Sequence, residues 1–399
     1  MEIPGYDELD PRRIGRELKK ARNRRGLTQA EAADFIDVGR TTMVAIEKGD
    51  RKVRPEELIT LARGYGRSVN DFVRKRPEIA EFRIRYRGPG RPEEELKEKI
   101  EEYEHEFEEL CRDYLELEQI VGAPMERDYP PEYETDGLSP EHAAEEIAQR
   151  ERNRLGLGTG PLGDFRSILE EKVGIRIFLL EMRPSTFSEM YHYDEEVGGC
   201  IAINVLHPPE RRLWSLAHGY MHFLVHRYEP AAYVEDAYQR QPESERLADA
   251  GALHLTMPST EVRARYNKIM RTKDHPTPAD LCILAHYFGV SVAAMARRLE
   301  GMKLIPRGTW DKLKRRGFKV REAQEQLGLE RATSSDEKLP FRYQYLALEA
   351  LESGEITEAQ FARFLRLDRL EARDIAHSLR EQAGDITDEA VIDLDLSSL

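Results

Sequence analysis

The sequence predicts a mainly α-helical protein with one small mixed β-sheet, an α+β arrangement divided among several domains. Residues 12–74 have the signals of five short helices, and residues 92–121 form one long helix without Gly or Pro after its start. Two apolar runs, 175–180 and 200–205, have the length and composition of buried strands. With 399 residues, the chain is too long for a single ordinary core.

The charge of the chain is unevenly distributed. The formal net charge is −14, but residues 1–91 contain 22 Lys and Arg against 15 Asp and Glu, a net +7, which leaves −21 for the remainder. A basic head on an acidic body favours an anionic partner for the head, and nucleic acid is the usual one.

The cysteines and the apolar runs predict a cytoplasmic protein. Cys111, Cys200 and Cys282 are far apart and form no CxxC pair, which is typical of a reduced compartment. No apolar run approaches the roughly 18 residues of a membrane span. The first ten residues, MEIPGYDELD, are acidic and lack the apolar segment of a signal peptide. We therefore expect no membrane partner.

The predicted N-terminal domain, residues 1–74, is a bundle of five helices. Thr28 and Glu31 have the spacing of a capping box, so the second helix begins there, and the turn at 37–39 separates it from the third. The helices are predicted at 12–25, 28–36, 40–47, 55–64 and 68–74. Short helices joined by such a turn are typical of a helix-turn-helix domain.

Residues 27–72 closely resemble the Cro/repressor-type (XRE) family of DNA-binding domains. The resemblance rests on the Leu-Thr-Gln start, the Val-x-Arg-x-Thr sequence that opens the third helix, and the Ile-Glu-x-Gly sequence that ends it. It implies that residues 40–48 form the recognition helix and that the partner is a double-stranded operator. The residues implied in DNA binding are Gln29, Arg40, Thr41, Thr42, Val44 and Lys48. The alternative is that these residues form a solvated helix face in a protein-binding module.

Residues 75–91 are predicted to be a linker, in which Phe82, Ile84 and Tyr86 could form a short edge strand before the break at 88–90. The long helix at 92–121 follows. Its apolar residues recur at alternating steps of four and three, as in a coiled coil, and are Leu96, Ile100, Tyr103, Phe107, Leu110, Tyr114, Leu117 and Val121. This seam predicts a homodimer, which the two-fold symmetry of operators also favours. The alternative is packing of the seam within its own domain.

The rest of the chain is predicted to comprise a Pro-rich loop at 122–139, a domain at 140–305 and a C-terminal helical region with a tail at 306–399. An acidic helical pair within 340–382 is interpreted as a protein-packing element. Within the domain, His218 and His222 lie four residues apart in an apolar run, so that both imidazoles can face one metal ion on a helix. His226 continues the same stripe. Gly219 occupies the position at which an HExxH motif carries its general base.

From Leu155 onward the chain resembles the ImmA/IrrE family of zinc peptidase domains, which implies a zincin-like fold. The resemblance rests on residues 152–182, on CIAINVLHPPERRLWSLAHGYMHFLVH and on ESERLADAGALHLTMP. It implies that His218, His222 and Glu245 are the Zn²⁺ ligands. Asp249 stands where the family usually has Asn, and Gly251 where it has an aromatic residue.

The departure at Gly219 removes the residue that the family uses to activate water, so no catalytic residue is assigned. Glu229 and Glu243 are candidate substitute bases by chain proximity only. Three interpretations remain open: a structural or sensory zinc ion, an empty site with histidines in the core, or residual hydrolysis. His226 is interpreted as a packing residue or one that orients a ligand, because a fourth protein ligand would close the site.

These observations predict a dimeric XRE-type transcriptional regulator whose ImmA/IrrE-like body has lost its peptidase chemistry and senses a small-molecule effector, a metal or a protein partner. One alternative is a zinc endopeptidase that cleaves a repressor or a partner protein. Another is a phage-repressor-like or antitoxin-like protein that regulates its own promoter.

Overall fold

The computed structural model describes residues 10–67, 69–73, 77, 85–87, 94–135, 137–229, 231–234, 243–329 and 337–384. Contacts divide the chain into two compact units, Met1–Pro77 and Glu78–Leu399, which we call the head and the body and describe separately. Some predicted features lie outside the described residues. They are positions 68 and 74 of the fifth helix, Phe82 and Ile84 of the edge strand, the break at 88–90, most of the loop at 332–338, and the tail at 393–397.

Within its described residues, the head contains the five helices that the sequence predicts. The capping box is present, since the Thr28 amide donates to the Glu31 carboxylate at 2.7 Å and the Glu31 amide donates to the Thr28 hydroxyl at 3.3 Å. The helices are α1 Pro11–Arg24, α2 Gln29–Asp34, α3 Arg40–Lys48, α4 Pro55–Gly64 and α5 Asn70–Val73. They enclose one apolar core that includes Ile14, Leu18, Met43, Ile46, Leu58 and Leu61.

Gly49 allows α3 to end against α1. Its φ of 78° is in the left-handed region, and a Cβ there would lie 2.5 Å from the Cα of Arg12. Only glycine satisfies both conditions without displacing the backbone. This residue therefore fixes how closely the end of α3 approaches the start of α1.

The body combines helices with one five-stranded sheet, so the predicted fold class is confirmed. Its described helices are α6 Glu94–Val121, α7 Pro140–Arg154, α8 Phe165–Ile168, α9 Pro209–Val225, α10 Glu243–Thr256, α11 Ser259–Met270, α12 Pro278–Phe288, α13 Val292–Gly301, α14 Thr309–Arg315, α15 Val320–Gln326, α16 Phe341–Glu352, α17 Glu358–Phe364 and α18 Arg369–Gly384. A π-helical turn, Leu169–Val173, continues α8. The strands are β1 Arg85–Arg87, β2 Arg176–Leu180, β3 Phe187–Asp194, β4 Gly198–Asn204 and β5 Ala231–Val234.

The sheet has the order β1-β5-β3-β4-β2 and is mixed. Strand β4 runs parallel to β2, and β3 runs antiparallel to both β4 and β5. The two predicted strands are β2 and β4, and β1 includes the last part of the predicted edge strand. Strand β3 was not predicted, because the buried polar residues Ser188, Glu189 and His192 interrupt its apolar pattern.

The two faces of the sheet are covered by different helices. On β4, Cys200 and Ala202 share a core with α6, whereas Ile201 and Ile203 share a core with α9. This alternation follows from the two-residue period of a strand. Helix α9, which carries the paired histidines, thus lies against the face opposite to α6.

The heptad seam of α6 is buried inside its own chain. Its side chains Ile100, Tyr103, Phe107, Leu110, Tyr114 and Leu117 are at most 9% exposed, and Val121 at the end of the helix is partly buried. Tyr114 stacks on Tyr343 of α16 with ring centroids 5.3 Å apart, and it meets Phe178 of β2 edge-on. The prediction of a coiled coil through this seam is wrong, because the apolar stripe packs against α16 and the sheet. A homodimer remains a prediction, but it no longer rests on this seam.

A separate core joins α11 to α15 across the boundary predicted at residue 305. Buried residues of α12 and α13, such as Phe288 and Met295, pack with Trp310, Leu313 and Phe318 from the segment beyond it.

Among the described residues, no single helix has the length and apolar character of a membrane span; only α12 and α13 taken together, bent by 103°, meet that test.

Candidate metal centre and DNA-binding face

Helices α9 and α10 bring the three predicted metal ligands together. His218 Nε2 and His222 Nε2 each lie 3.5 Å from a different carboxylate oxygen of Glu245. One ligand atom from each residue falls within 4.8 Å of the others, and all three side chains are buried. The four-residue spacing on one helix places the two histidines side by side. The packing of α10 on α9 brings Glu245 to them.

The small residue at position 251 permits that packing. A Cβ at Gly251 would lie 2.4 Å from the Cε of Met221, so the methionine side chain occupies the space that a larger residue of α10 would need. Ala248 and Ala252 on the same helix are also fully buried. The departure from the family pattern at Gly251 is therefore compensated by Met221 of α9.

Asp249 is an acidic residue beside the trio, next to His218. It lies one helical turn after Glu245, and its Oδ1 is 3.5 Å from His218 Nε2. Its side chain is 31% exposed, so it forms the outer wall of an otherwise buried cluster. A carboxylate at this position can bind an ion held by the trio, whereas the asparagine of the family pattern carries no charge.

Glu189 of β3 holds His218 from the other side. Its Oε1 lies 2.6 Å from His218 Nδ1, and both side chains are buried. Because an ionised carboxylate only accepts hydrogen bonds, Nδ1 would donate to Glu189, and in a metal-bound state Nε2, which faces Glu245 and Asp249, would offer its lone pair to the ion. A carboxylate behind a ligating histidine is the usual way in which proteins orient an imidazole toward a metal.

The charges of the cluster favour a bound cation. Although burial opposes the shift, the negative charge of Glu189 and its hydrogen bond raise the pKa of His218 well above its usual range. Burial likewise raises the pKa of Glu245, but hydrogen bonds with His218 and His222 outweigh it and lower the pKa overall. Without an ion, protonation of His218 meets part of the negative charge of the three nearby carboxylates. A bound cation would take over this role, and the two nitrogen donors and one oxygen donor of the trio fit Zn²⁺.

Gly219, at the general-base position, is closely surrounded by residues of the sheet. A Cβ there would lie 3.2 Å from Ile201 Cγ2 and 3.4 Å from Glu189 Oε1. The nearest carboxylate is thus that of Glu189, whose Oε1 contacts the Nδ1 side of His218. Glu229 and Glu243, the candidates by chain proximity, are both exposed and do not belong to the metal-binding group.

His226 does not join the converging trio. It caps the C-terminal end of α9, and its ring centroid lies 5.7 Å from that of His222. This placement agrees with a packing role beside His222.

Glu189 is the site residue that sequence reasoning missed. The sequence shows Glu189 only as a polar residue between two apolar strands, and this pattern does not indicate that its partner is His218.

Apart from Gln29, which begins α2, the predicted DNA-binding residues lie on α3, whose opposite face is buried. Arg40, Thr41 and Lys48 are exposed, and Thr42 and Val44 are partly exposed. Met43, Ile46 and Glu47 face the core of the head. The exposed positions 41, 44 and 48 recur at helical spacing, so α3 presents a continuous face to a partner.

Gln29 has a structural contact that the sequence did not indicate. Its side-chain amide donates to Glu47 Oε2 at 2.8 Å, and Arg22 contacts both oxygens of the same carboxylate at 2.5 and 3.1 Å. These hydrogen bonds connect the start of α2 and the end of α1 to α3. The role of Gln29 as a DNA anchor remains a prediction.

Replacing Glu189 with glutamine tests its orienting role. Glu189→Gln keeps an oxygen that can accept from His218 Nδ1 but removes the negative charge, so zinc affinity should fall by about 10- to 100-fold. Competition with a fluorescent zinc chelator measures this change. Glu195→Gln, an exposed substitution after the end of the same strand, is the matched control. Equal affinities in the two variants would show that Glu189 does not act on the metal-binding histidines.

Comparison with protein families finds one match within the head and one within the body. Residues 13–72 match a helix-turn-helix domain family, and residues 170–300 match the peptidase family described as the IrrE N-terminal-like domain. No curated protein matches the chain. The first match contains α2 and α3, and the second contains Glu189, both histidines, Glu245 and Asp249. The two resemblances drawn from the sequence are therefore confirmed.

Proposed function

We propose that this chain, in which a helix-turn-helix domain is joined to an IrrE N-terminal-like domain, is a transcriptional regulator whose body has lost peptidase activity. The observation that carries the proposal is the combination of Gly219 at the general-base position with Asp249 beside His218. The body then holds a structural or sensory ion, and the head binds an operator. Such a regulator acts in the cytoplasm, at the nucleoid.

The exposed face of α3 supports the DNA-binding part of this proposal. Arg40, Thr41, Thr42 and Val44 would face base edges in the major groove, and Lys48 would contact the backbone. The net +7 of residues 1–91 supplies the electrostatic attraction. We further propose a homodimer on the operator, because helix-turn-helix proteins usually bind paired half-sites.

The donor set supports a closed metal site. His218, His222, Glu245 and Asp249 would hold the ion, and Glu189 would orient His218. Structural zinc sites use four protein ligands, whereas catalytic sites keep one position open for water. A bound zinc ion would supply Lewis-acid chemistry, but with Asp249 as a fourth ligand no position would remain open for water, and no base stands at position 219.

A cavity lined in part by the start of the metal-binding helix α9 supports a sensory role for the body. Its volume of about 580 Å³ is in the range of small-molecule sites. The apolar part of its wall is formed by Phe165, Ile177, Leu179, Ile203, Leu213 and Leu216. Leu213 and Leu216 belong to α9, the helix that carries His218 and His222. An apolar small-molecule effector in this cavity would thus contact the metal-binding helix directly.

Selection of DNA by the full-length protein tests the proposed function. Duplexes with a randomised centre are captured by the purified chain, released and sequenced over successive rounds. Enrichment of one motif, with two related half-sites for a dimer, is the expected result. Occurrence of the enriched motif upstream of the chain's own coding sequence would favour the autoregulator alternative. A pool that stays random would refute sequence-specific regulation.

A zinc endopeptidase remains the second candidate, because His218, His222 and Glu245 lie together as the three ligands of an active site would. In that case Glu189, the nearest carboxylate to Gly219, would have to serve as the base in spite of its contact with His218. The predicted targets, a repressor or a partner protein, would be cleaved by the unmodified chain. The Gly219 variants discussed below distinguish the two candidates.

A further inference from the structure

The body contains one strongly basic segment within an otherwise acidic sequence. Residues 303–321 include eight Lys and Arg but only one acidic residue, Asp311, a net +7. The rest of residues 92–399 therefore has a net charge of −28. This segment carries in 19 residues the same net charge as the first 91, and it lies beyond the residues that match the IrrE N-terminal-like domain.

The structure holds these basic side chains on an ordered surface. The segment comprises the turn after α13, helix α14 and the start of α15. Its large apolar residues, such as Trp310, Leu313 and Phe318, pack against the core formed by α11–α13. All eight basic side chains are exposed: Lys303, Arg307, Lys312, Lys314, Arg315, Arg316, Lys319 and Arg321. We call this set the basic surface.

Few of these charges are neutralised within the chain. Lys319 pairs with exposed Glu322 at 2.6 Å, and the Nε of Arg315 donates to the Asp311 carbonyl at 3.3 Å. In the part of the chain that the structure describes, no ion pair involves the other basic residues, Lys312, Lys314 and Arg316 among them. Glu300, the nearest preceding acid, accepts a hydrogen bond from the Trp310 amide at 2.9 Å.

We propose that the basic surface binds the phosphate backbone of double-stranded DNA, as a second contact separate from α3. Exposed Lys and Arg side chains without acidic partners displace the counterions of a polyanion and gain affinity by their release. The segment exposes no large apolar side chain of the kind that inserts into a lipid surface, which distinguishes it from a membrane-binding helix. The helix-turn-helix head of the same chain makes DNA the polyanion that it meets.

This contact goes beyond the proposed role of the head, since a phosphate contact carries no sequence preference. It would add affinity to whatever site α3 selects. It would also make the body, and not only the head, sensitive to salt when the full chain is on DNA.

Charge reversal in the full-length protein tests the proposal. The variant is Lys312→Glu with Lys314→Glu and Arg316→Glu, and the control is Arg369→Glu with Arg373→Glu and Arg380→Glu on α18, which are also exposed and change the charge equally. Binding to a fluorescent 30-base-pair duplex of arbitrary sequence is measured by anisotropy over a range of NaCl concentrations. The plot of log affinity against log salt should become shallower by about 2 to 3 in the variant. Its affinity at ~100 mM salt should fall at least about 10-fold relative to the control.

Equal salt dependence in the variant and the control would overturn the proposal and leave an acidic protein as the partner of this surface. Thermal unfolding monitored by circular dichroism confirms that both proteins are folded. If the reversed variant is not, the glutamine variant at the same three positions should give the same loss of slope, since it removes the same three positive charges. Because the duplex has an arbitrary sequence, this result is independent of whether the head selects an operator.

Discussion

The Arg40→Ala, Thr42→Ala double variant is expected to lose sequence-specific DNA binding, with affinity for a selected operator falling about 100-fold or more. Each specific contact to a base edge is worth about 1–3 kcal/mol of discrimination, so two lost contacts account for this range. Arg40 is exposed and Thr42 is partly exposed on α3, whereas the helix is held by buried Met43, Ile46 and Glu47. The head should therefore remain folded. Titration of the selected duplex and of an arbitrary duplex of equal length measures the change.

A matched control lies on the next helix of the same domain. Thr60→Ala with Arg63→Ala removes the same residue types from exposed positions of α4. We expect operator affinity to stay within about three-fold of the unmodified chain. Any contact of these two residues with the DNA backbone would be weak, and α4 carries none of the implied contacts to bases. Unchanged operator affinity in the α3 variant would refute the assignment of the recognition helix. An equal loss in both variants would point to the overall charge of the head as the cause.

The unmodified chain is expected to have no peptidase activity above that of its His218→Ala variant. Adding a base and removing the fourth donor, in the double variant Gly219→Glu with Asp249→Asn, should raise cleavage about 100-fold or more, since general acid–base catalysis contributes about 10²- to 10⁴-fold. Both changes are needed because Asp249 stands 3.5 Å from His218 Nε2. Cleavage of a quenched fluorescent casein measures the rate.

The surroundings of Gly219 make the single variant informative. A side chain there must fit against Ile201 Cγ2 at 3.2 Å and Glu189 Oε1 at 3.4 Å, so that Gly219→Glu brings two carboxylates close together. We expect the single variant to remain near the rate of the unmodified chain. If the unmodified chain cleaves as fast as the double variant, and His218→Ala abolishes the cleavage, the endopeptidase candidate is correct and the closed-site interpretation fails.

Local signals were sufficient to predict the head. The capping box at Thr28, the turn at 37–39 and the glycine at 49 each act within a few residues, so helix boundaries could be derived from the sequence with small errors. The pairing of His218 with His222 was equally local. Their proximity to Glu245 required the family resemblance, because no spacing rule relates α9 to α10 across the intervening segment.

The long helix shows the limit of periodicity. The heptad stripe of α6 correctly indicated one apolar face but could not identify what covers it. Tyr114 meets Tyr343, more than 200 residues later in the chain, and such long-range contacts leave no trace in the pattern of a single helix.

Glu189 was missed for a related reason. Its strand has buried polar residues, and its partner His218 lies 29 residues away on another element.

The zinc content of the purified protein tests the central claim most directly. The full chain is prepared without chelators or metal-affinity steps, and zinc is measured by elemental mass spectrometry against protein concentration. We predict about one zinc ion per chain, lost in His218→Ala, because two imidazoles and the Glu245 carboxylate converge, with the carboxylate of Asp249 beside them. A zinc-free unmodified protein that takes up none from a buffered zinc solution would contradict the account, and the cluster would then be a buried polar network.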